Sequence, residues 1–388
     1  MSNVRVVNNL SNERVHNYVS EIFSSQMHEK RVWSLANAAI GLLNSEELLL
    51  HKMGAGLAKA RTLNKKHATK QIDRLLSNKK FDIWTQTDPW VAHVIGKRKD
   101  IMVAMDWTDF DADNQAMLTV NLITNHGRAT PLLWKTVDKS SLKHNRARYE
   151  DQILSKLKEA IGPDIKVTVL ADRGFADQKF FKFIDEELGF LYIIRIRGGI
   201  YIKDKNSVSK PAKEWLRTDG RTYGLSNVKA TQDECSVARF VATKQQGMKD
   251  AWYLLSNCKD LAGSTIVKYY GKRWGIECFF RDVKDHRFGM GLINTHIKDP
   301  TRRDRLFFIL AISIFLLTVL GAAGESLGFD KKLKVNTVKT RTHSLLTQGI
   351  FYYDFFYNFS QEEQTKLMGA FNELLHQQAI WQKLLFMV

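Results

Sequence analysis

The sequence predicts an α/β catalytic core interrupted by an all-β insertion and flanked by helical segments at both ends. Three observations lead there. Two apolar runs of strand length each finish on an aspartate: Ile-Met-Val-Ala-Met-Asp (101–106) and Val-Thr-Val-Leu-Ala-Asp (167–172). Strand-like and helix-like patterns alternate around them, as expected of a sheet layered with helices. Residues 1–95 and 300–388 carry apolar residues at helical spacing instead.

The chain has 388 residues, enough for two to four domains, and 44% of them are apolar, as in a globular protein. Lys and Arg total 58 against 41 Asp and Glu, for a formal net charge of +17. That excess favours a polyanionic partner, a nucleic acid above all. Cys235, Cys258 and Cys278 are odd in number and widely spaced. They form neither a disulfide framework nor a zinc motif, which suits a reducing cytoplasm. The first dozen residues lack the apolar core of a signal peptide. Phe307 to Ala323 is nearly all apolar but short of the ~20 residues a membrane span needs, so we expect a buried core helix and no membrane.

Within 1–95, a helical domain, the segment 64–76 predicts an amphipathic helix capped by Asn64 or Thr62. Ile72, Leu75 and Leu76 would face inward, with Lys65, Lys66, Lys70 and Arg74 outward. A run of this kind is either a solvated face or a helix laid against DNA, and the basic chain favours DNA. Strands follow at 101–105, 117–124 and 132–137, then a helix near 149–161. A buried strand at 165–170, a helix near 178–187 and a strand at 190–196 complete the series. Three strands, helix, strand, helix, strand is the order of a ribonuclease-H-like core, expected over 96–197 and 256–299. The stretch 198–255 breaks the alternation with short strands at 199–202, 222–230, 236–244 and 252–255, an all-β insertion. Residues 300–388 form a helical C-terminal domain containing a second basic segment at 330–343.

After the insertion, 269–284 reads as one helix. On it Tyr270, Arg273, Glu277, Arg281 and Lys284 would fall within an arc of about 80°, opposite Ile276, Phe279 and Val283. Such a stripe is often only a surface laced by ion pairs, Arg273–Glu277 and Glu277–Arg281. Trp274 beside it argues for more, because an exposed Trp gains little on an ordinary surface. Asp106, Asp172 and Glu277 can then converge, and gathered carboxylates need cations to hold them. Oxygen-binding divalent ions fill that role, and a pair of them can clamp both oxygens of a phosphodiester displacement.

Tyr-x2-Arg-x3-Glu-x6-Lys, realised as Tyr270, Arg273, Glu277 and Lys284, resembles the signature of the bacterial insertion-sequence-four family of DDE transposases. Ala-Met-Asp-Trp-Thr and Leu-Ala-Asp-Arg-Gly-Phe resemble that family's first and second acidic motifs. The resemblance implies a cytoplasmic, nucleoid-associated bacterial enzyme that cuts and pastes DNA. Asp106, Asp172 and Glu277 would hold two Mg²⁺ or Mn²⁺ ions. Tyr270, Arg273 and Lys284 would bind phosphates of the transposon end, with Arg281 as a further basic contact. It also implies DNA contacts by Arg195 and stacking of a flipped base on Trp252, a residue that can equally be strand core. Partners would be double-stranded terminal inverted repeats, target DNA and a second copy in a homodimer.

Asp109–Asn114 starts like a calcium loop, but Asn114 replaces the glycine and Val120 the closing glutamate, so a turn is expected. His286 and His296 lack metal-ligand spacing. No phosphate-cradling Walker loop is present, so no nucleotide cofactor is expected. The alternatives are a recombinase with Tyr270 or Tyr269 as nucleophile, a ribonuclease-H-like junction nuclease, and a silent transposase-derived regulator.

Overall fold

The computed structural model describes residues 10–284 and 290–376; His286 lies outside them. The described chain opens with α1 (Asn12–Phe23), α2 (Glu29–Leu43), α3 (Leu50–Arg61), α4 (Lys65–Leu76) and α5 (Ile83–Ile95). Helix α4 starts at Asn64, whose side chain accepts from the backbone N–H groups of Lys66 and His67. Thr62 instead ends α3 in the left-handed conformation at φ 51°. Ile72, Leu75 and Leu76 are buried, and Lys65, Lys66, Lys70 and Arg74 are exposed.

The sheet begins with β1 (Asp100–Phe110), β2 (Gln115–Leu122) and β3 (Thr130–Asp138), an antiparallel series. The β1–β2 connection is a turn in which Asn114 takes φ 53°, the conformation Asn tolerates better than most residues. Helix α6 (Arg146–Ala160) then leads to β4 (Lys166–Ala171), which pairs parallel to β1. Helix α7 (Gln178–Lys182) continues as a π-helical turn over Phe183–Glu187 before β5 (Leu191–Arg195), which is parallel to β4.

Five further strands follow: β6 (Tyr201–Lys203), β7 (Ser209–Pro211), β8 (Tyr223–Ala230), β9 (Cys235–Thr243) and β10 (Trp252–Ser256). They are not a detached sheet. Strand β10 pairs antiparallel with β5, giving one ten-stranded sheet ordered β3-β2-β1-β4-β5-β10-β9-β8-β6-β7. The chain returns over it as α8 (Gly263–Gly271) and α9 (Trp274–Lys284).

One helix was expected where α8 and α9 now stand, and it breaks at Lys272–Arg273. The amides of Lys272, Arg273, Gly275 and Ile276 bond three residues back, a tightened turn. Just past the break, the Gly275 carbonyl accepts from Ala129 N, at 3.1 Å, on the loop between β2 and β3. Tyr270 therefore belongs to α8 and Glu277 to α9, so the five-residue stripe is not a face of one helix.

Helix α10 (Pro300–Ser326) has the length and composition of a membrane span, yet most of it is buried inside the folded chain. Trp134 of β3 packs on Phe307 and Phe308, and Phe308 also meets Phe23, Phe81 and Trp90. The helix thus covers the sheet edge at β3 and joins it to the N-terminal helices. On its other side lie α11 (Leu345–Asp354) and α12 (Gln361–His376). Gly321 and Gly349 permit the closest crossing, because a Cβ on either would overlap a backbone carbonyl of the facing helix.

Four consecutive charged residues open α10 and tie three regions together. Arg302 pairs with Asp73 of α4 at 2.6 Å, and Arg303 with Asp113 of the β1–β2 turn at 2.5 Å. Asp304 accepts from Thr136 of β3, N at 2.9 Å and Oγ1 at 2.6 Å. Arg305 donates to the carbonyls of Leu76 and Phe81 at 2.9 and 2.8 Å. Burial pushes the Asp304 carboxyl up to about 7, with the Thr136 bonds working the other way. A raised carboxyl adds stability that is complete below its unfolded value near ~4 and is lost as pH climbs through the folded value. Asp304→Asn keeps the acceptor without the charge. Its melting temperature should match the parent at pH 4 and exceed it at pH 8; parallel pH profiles would refute this.

Candidate active site

The register of β1 against β4 pairs Met105 with Ala171. Asp106 and Asp172 are the next positions on two neighbouring parallel strands. Asp172 does end its strand, as expected. Asp106 does not, because β1 continues to Phe110 against β2 alone, pairing Asp106 with Thr119. What ends at Asp106 is the parallel pairing, and that opens the space beside its side chain. The next residue, Trp107, faces the other way and donates to Glu150 of α6 at 2.8 Å.

Glu277 arrives on α9, whose Ile276, Phe279 and Val283 are buried. Arg273, in the turn before α9, joins the pieces. Its guanidinium lies 3.3 Å from Asp106 Oδ2 and 2.5 Å from Glu277 Oε1. Burial raises Asp106 to about 6; Arg273 opposes that rise, while the charges of Asp172 and Glu277 add to it. Burial works against the Arg273 charge too, but Tyr270, Asp106, Glu277 and Asp172 outweigh it and hold the guanidinium above its ordinary value. Asp172 accepts from Gly174 N at 2.7 Å, which fixes one carboxylate oxygen to its own loop.

The three carboxylates therefore share one electrostatic field. Their oxygens do not converge on a single point, as the sequence led us to expect. Among the described residues no three Asp, Glu, His or Cys side chains are gathered closely enough to hold an ion. The physical reason is visible: like charges repel, and Arg273 lies between Asp106 and Glu277. The donor chemistry nonetheless suits Mg²⁺ or Mn²⁺, because all three groups are hard carboxylate oxygens and Asp106 is destabilised by its acidic neighbours.

The other expected contacts divide into two groups. Tyr270 is buried and hydrogen-bonded to Arg273; burial lifts its hydroxyl to about 12, with Arg273 and Arg195 pulling it down. Trp252 meets Tyr270 edge to face at 5.0 Å. Arg195 donates to the Ala251 carbonyl at 3.1 Å. Lys284 binds Thr108 Oγ1 at 3.0 Å and the Asp109 carbonyl at 2.9 Å, on the part of β1 beyond Asp106, and burial lowers its ammonium. Of these, Tyr270 reaches the acids through Arg273 and Lys284 through the end of β1. Trp274, 63% exposed, and Arg281 lie on the open surface of α9. Lys65, Lys66, Lys70 and Arg74 stand on the separate helix α4.

Sequence reasoning missed Arg146. Its guanidinium lies over the rings of Trp107 and Phe175, at 5.5 and 5.7 Å, and is bonded to Glu150 at 3.0 Å. It also borders Gly174, beside Asp172. A signal was there to find: cations in the first turn of a helix oppose its dipole and need another reason to be there.

No curated protein matches this chain. Residues 98–316, from just before β1 to the middle of α10, match the family described as the transposase DDE domain, which implies a ribonuclease-H-like fold. Strands β1 to β5 have that arrangement, an antiparallel trio extended by two strands parallel to β1. With more than half of its length matched, the chain belongs to the transposase DDE domain family.

Proposed function

We propose that this transposase excises and inserts a DNA element by cut-and-paste strand transfer, using Asp106, Asp172 and Glu277 as its acidic triad. One observation carries the proposal: Arg273 links Asp106 of the sheet to Glu277 of α9 while Asp172 acts on both Asp106 and Arg273. Divalent ions on these carboxylates would supply a stronger nucleophile and stabilise the charge that builds on the phosphodiester oxygens. The bacterial insertion-sequence-four assignment rests on the spacing of Tyr270, Arg273, Glu277 and Lys284 and remains part of this proposal.

In this scheme Arg273 and Lys284 hold phosphate oxygens of the transposon end, with Tyr270 orienting Arg273. Their rigid seating limits the rearrangement needed when the scissile phosphate enters. Trp252, packed beside Tyr270, offers a ring for a base displaced from the duplex. Arg281 and Trp274 extend the contact along α9, and Arg195 supports it from β5. The basic face of α4 takes the duplex further from the cut. The helical ends, 1–95 and 300–388, serve end recognition and pairing of two copies, since two transposon ends must be held together. The work takes place on chromosomal DNA in the cytoplasm.

A tyrosine nucleophile fits poorly, because the Tyr270 hydroxyl is buried and engaged by Arg273, with Trp252 packed against its ring. Tyr270→Phe should cost about 1 kcal/mol of stability, the worth of one hydrogen bond. It should leave strand cleavage detectable and no protein–DNA adduct should form with the parent; complete loss of cleavage together with a parental adduct would favour a covalent recombinase. Asp172→Ala should abolish metal-dependent cleavage and leave binding of a transposon-end duplex within about threefold, since a ligand is lost and no phosphate contact. Cleavage that survives EDTA, or that persists in Asp172→Ala, would contradict the assignment.

A further inference from the structure

We infer that the loop between β2 and β3, residues 123–129, is a positioning clamp for Glu277, with Arg128 and Asp282 as its positioning residues. The inference rests on Glu277 belonging to the acidic triad. The loop grips α9 at two points, near its start at Gly275 and two turns on at Asp282. Ala129 N donates to the Gly275 carbonyl at 3.1 Å, and Arg128 Nε donates to Asp282 Oδ2 at 2.5 Å. At the first contact the loop lies close against the helix: a Cβ at Gly275 would meet Ala129 N at 3.4 Å, van der Waals distance. A third, longer contact runs from Lys272 Nζ to Asn125 Oδ1 at 3.4 Å.

The geometry gives these contacts a direction. Residues 275 and 282 are seven apart and share one side of the helix. At 3.6 residues per turn, Glu277 projects about 140–160° away from that side. The loop therefore holds α9 from behind, and the carboxylate is presented on the front, where Arg273 and Asp106 lie. Ile276, Phe279 and Val283 set the depth of α9 by apolar packing, but such packing is non-directional and leaves rotation and sliding loosely fixed. A short ion pair and a backbone hydrogen bond restrict both. The Asp282 side chain is only 9% exposed and that of Arg128 22%. A buried pair of this kind is weak evidence for stability, and fixing a geometry is its better attested use. The loop is itself stiffened by a hydrogen bond from Thr124 Oγ1 to the Arg128 carbonyl.

The test is calorimetric Mn²⁺ binding to the full chain, read beside thermal melting, transposon-end binding and Mg²⁺-supported cleavage. Arg128→Gln combined with Asp282→Asn removes both charges, so no unpaired ion is left buried. Expected are an unchanged melting transition and end binding, with Mn²⁺ affinity and cleavage each lower by about 10-fold or more, as for other outer partners of metal ligands. Arg128→Lys keeps the buried acid paired and covers the case in which the double variant does not fold. It should weaken Mn²⁺ binding in the same direction by a smaller factor. Mn²⁺ binding unchanged in both variants but lost in Asp172→Ala overturns the clamp alone. Binding unchanged in all three overturns the triad on which the clamp rests.

Discussion

The burial of Asp106 beside Arg273, in the field of Asp172 and Glu277, is the constraint on which the site depends. Asp106 and Asp172 are brought together by the parallel pairing of two strands, and Glu277 is carried in by a helix from a later part of the chain. Such a gathering costs free energy unless a cation answers it. In this structure Arg273 does so, at 3.3 Å from Asp106 and 2.5 Å from Glu277. Asp106 bears the cost, since burial and its acidic neighbours hold it at about 6 against the pull of Arg273. A purely structural ion pair would not need a third acid in the same field. Asp172 supplies that third acid, acting on both Asp106 and Arg273.

Much of the surrounding architecture follows from keeping those groups in place. The break between α8 and α9 lets Tyr270 and Glu277 come from two helix axes, with Arg273 in the turn between them. Lys284, one end of α9, is tied to the last residues of β1, so strand and helix are fastened beyond the acids as well as at them. Helix α10 then closes the far edge of the sheet, and its opening charges lock α4, the β1–β2 turn and β3 into one body.

Local chemistry made a good part of this legible in the sequence. The two aspartates stand out because apolar runs of that length rarely finish on an acid without a reason, although β1 runs on past Asp106. The α4 face is readable because Asn64 caps it and its apolar residues recur at helical spacing. The single helix expected over 269–284 was wrong because the amides of Lys272, Arg273, Gly275 and Ile276 bond three residues back, a tightening that apolar periodicity does not register. Joining of β10 to β5, which makes the insertion part of the core sheet, is a long-range pairing that no local pattern encodes. The Arg128–Asp282 pair escaped for the same reason, since its two residues lie far apart in sequence, whereas Arg146 was missed although its place in a helix's first turn was readable.

The most direct measurement of the shared acidic site is metal-directed backbone cleavage. Fe²⁺ bound in place of Mg²⁺, with ascorbate and peroxide, generates radicals that cut the polypeptide beside its ligands. Three clusters of cuts, near residues 106, 172 and 277 and all suppressed together by excess Mg²⁺, are expected. Cuts at only one of these positions, or a pattern that Mg²⁺ leaves untouched, would contradict the account.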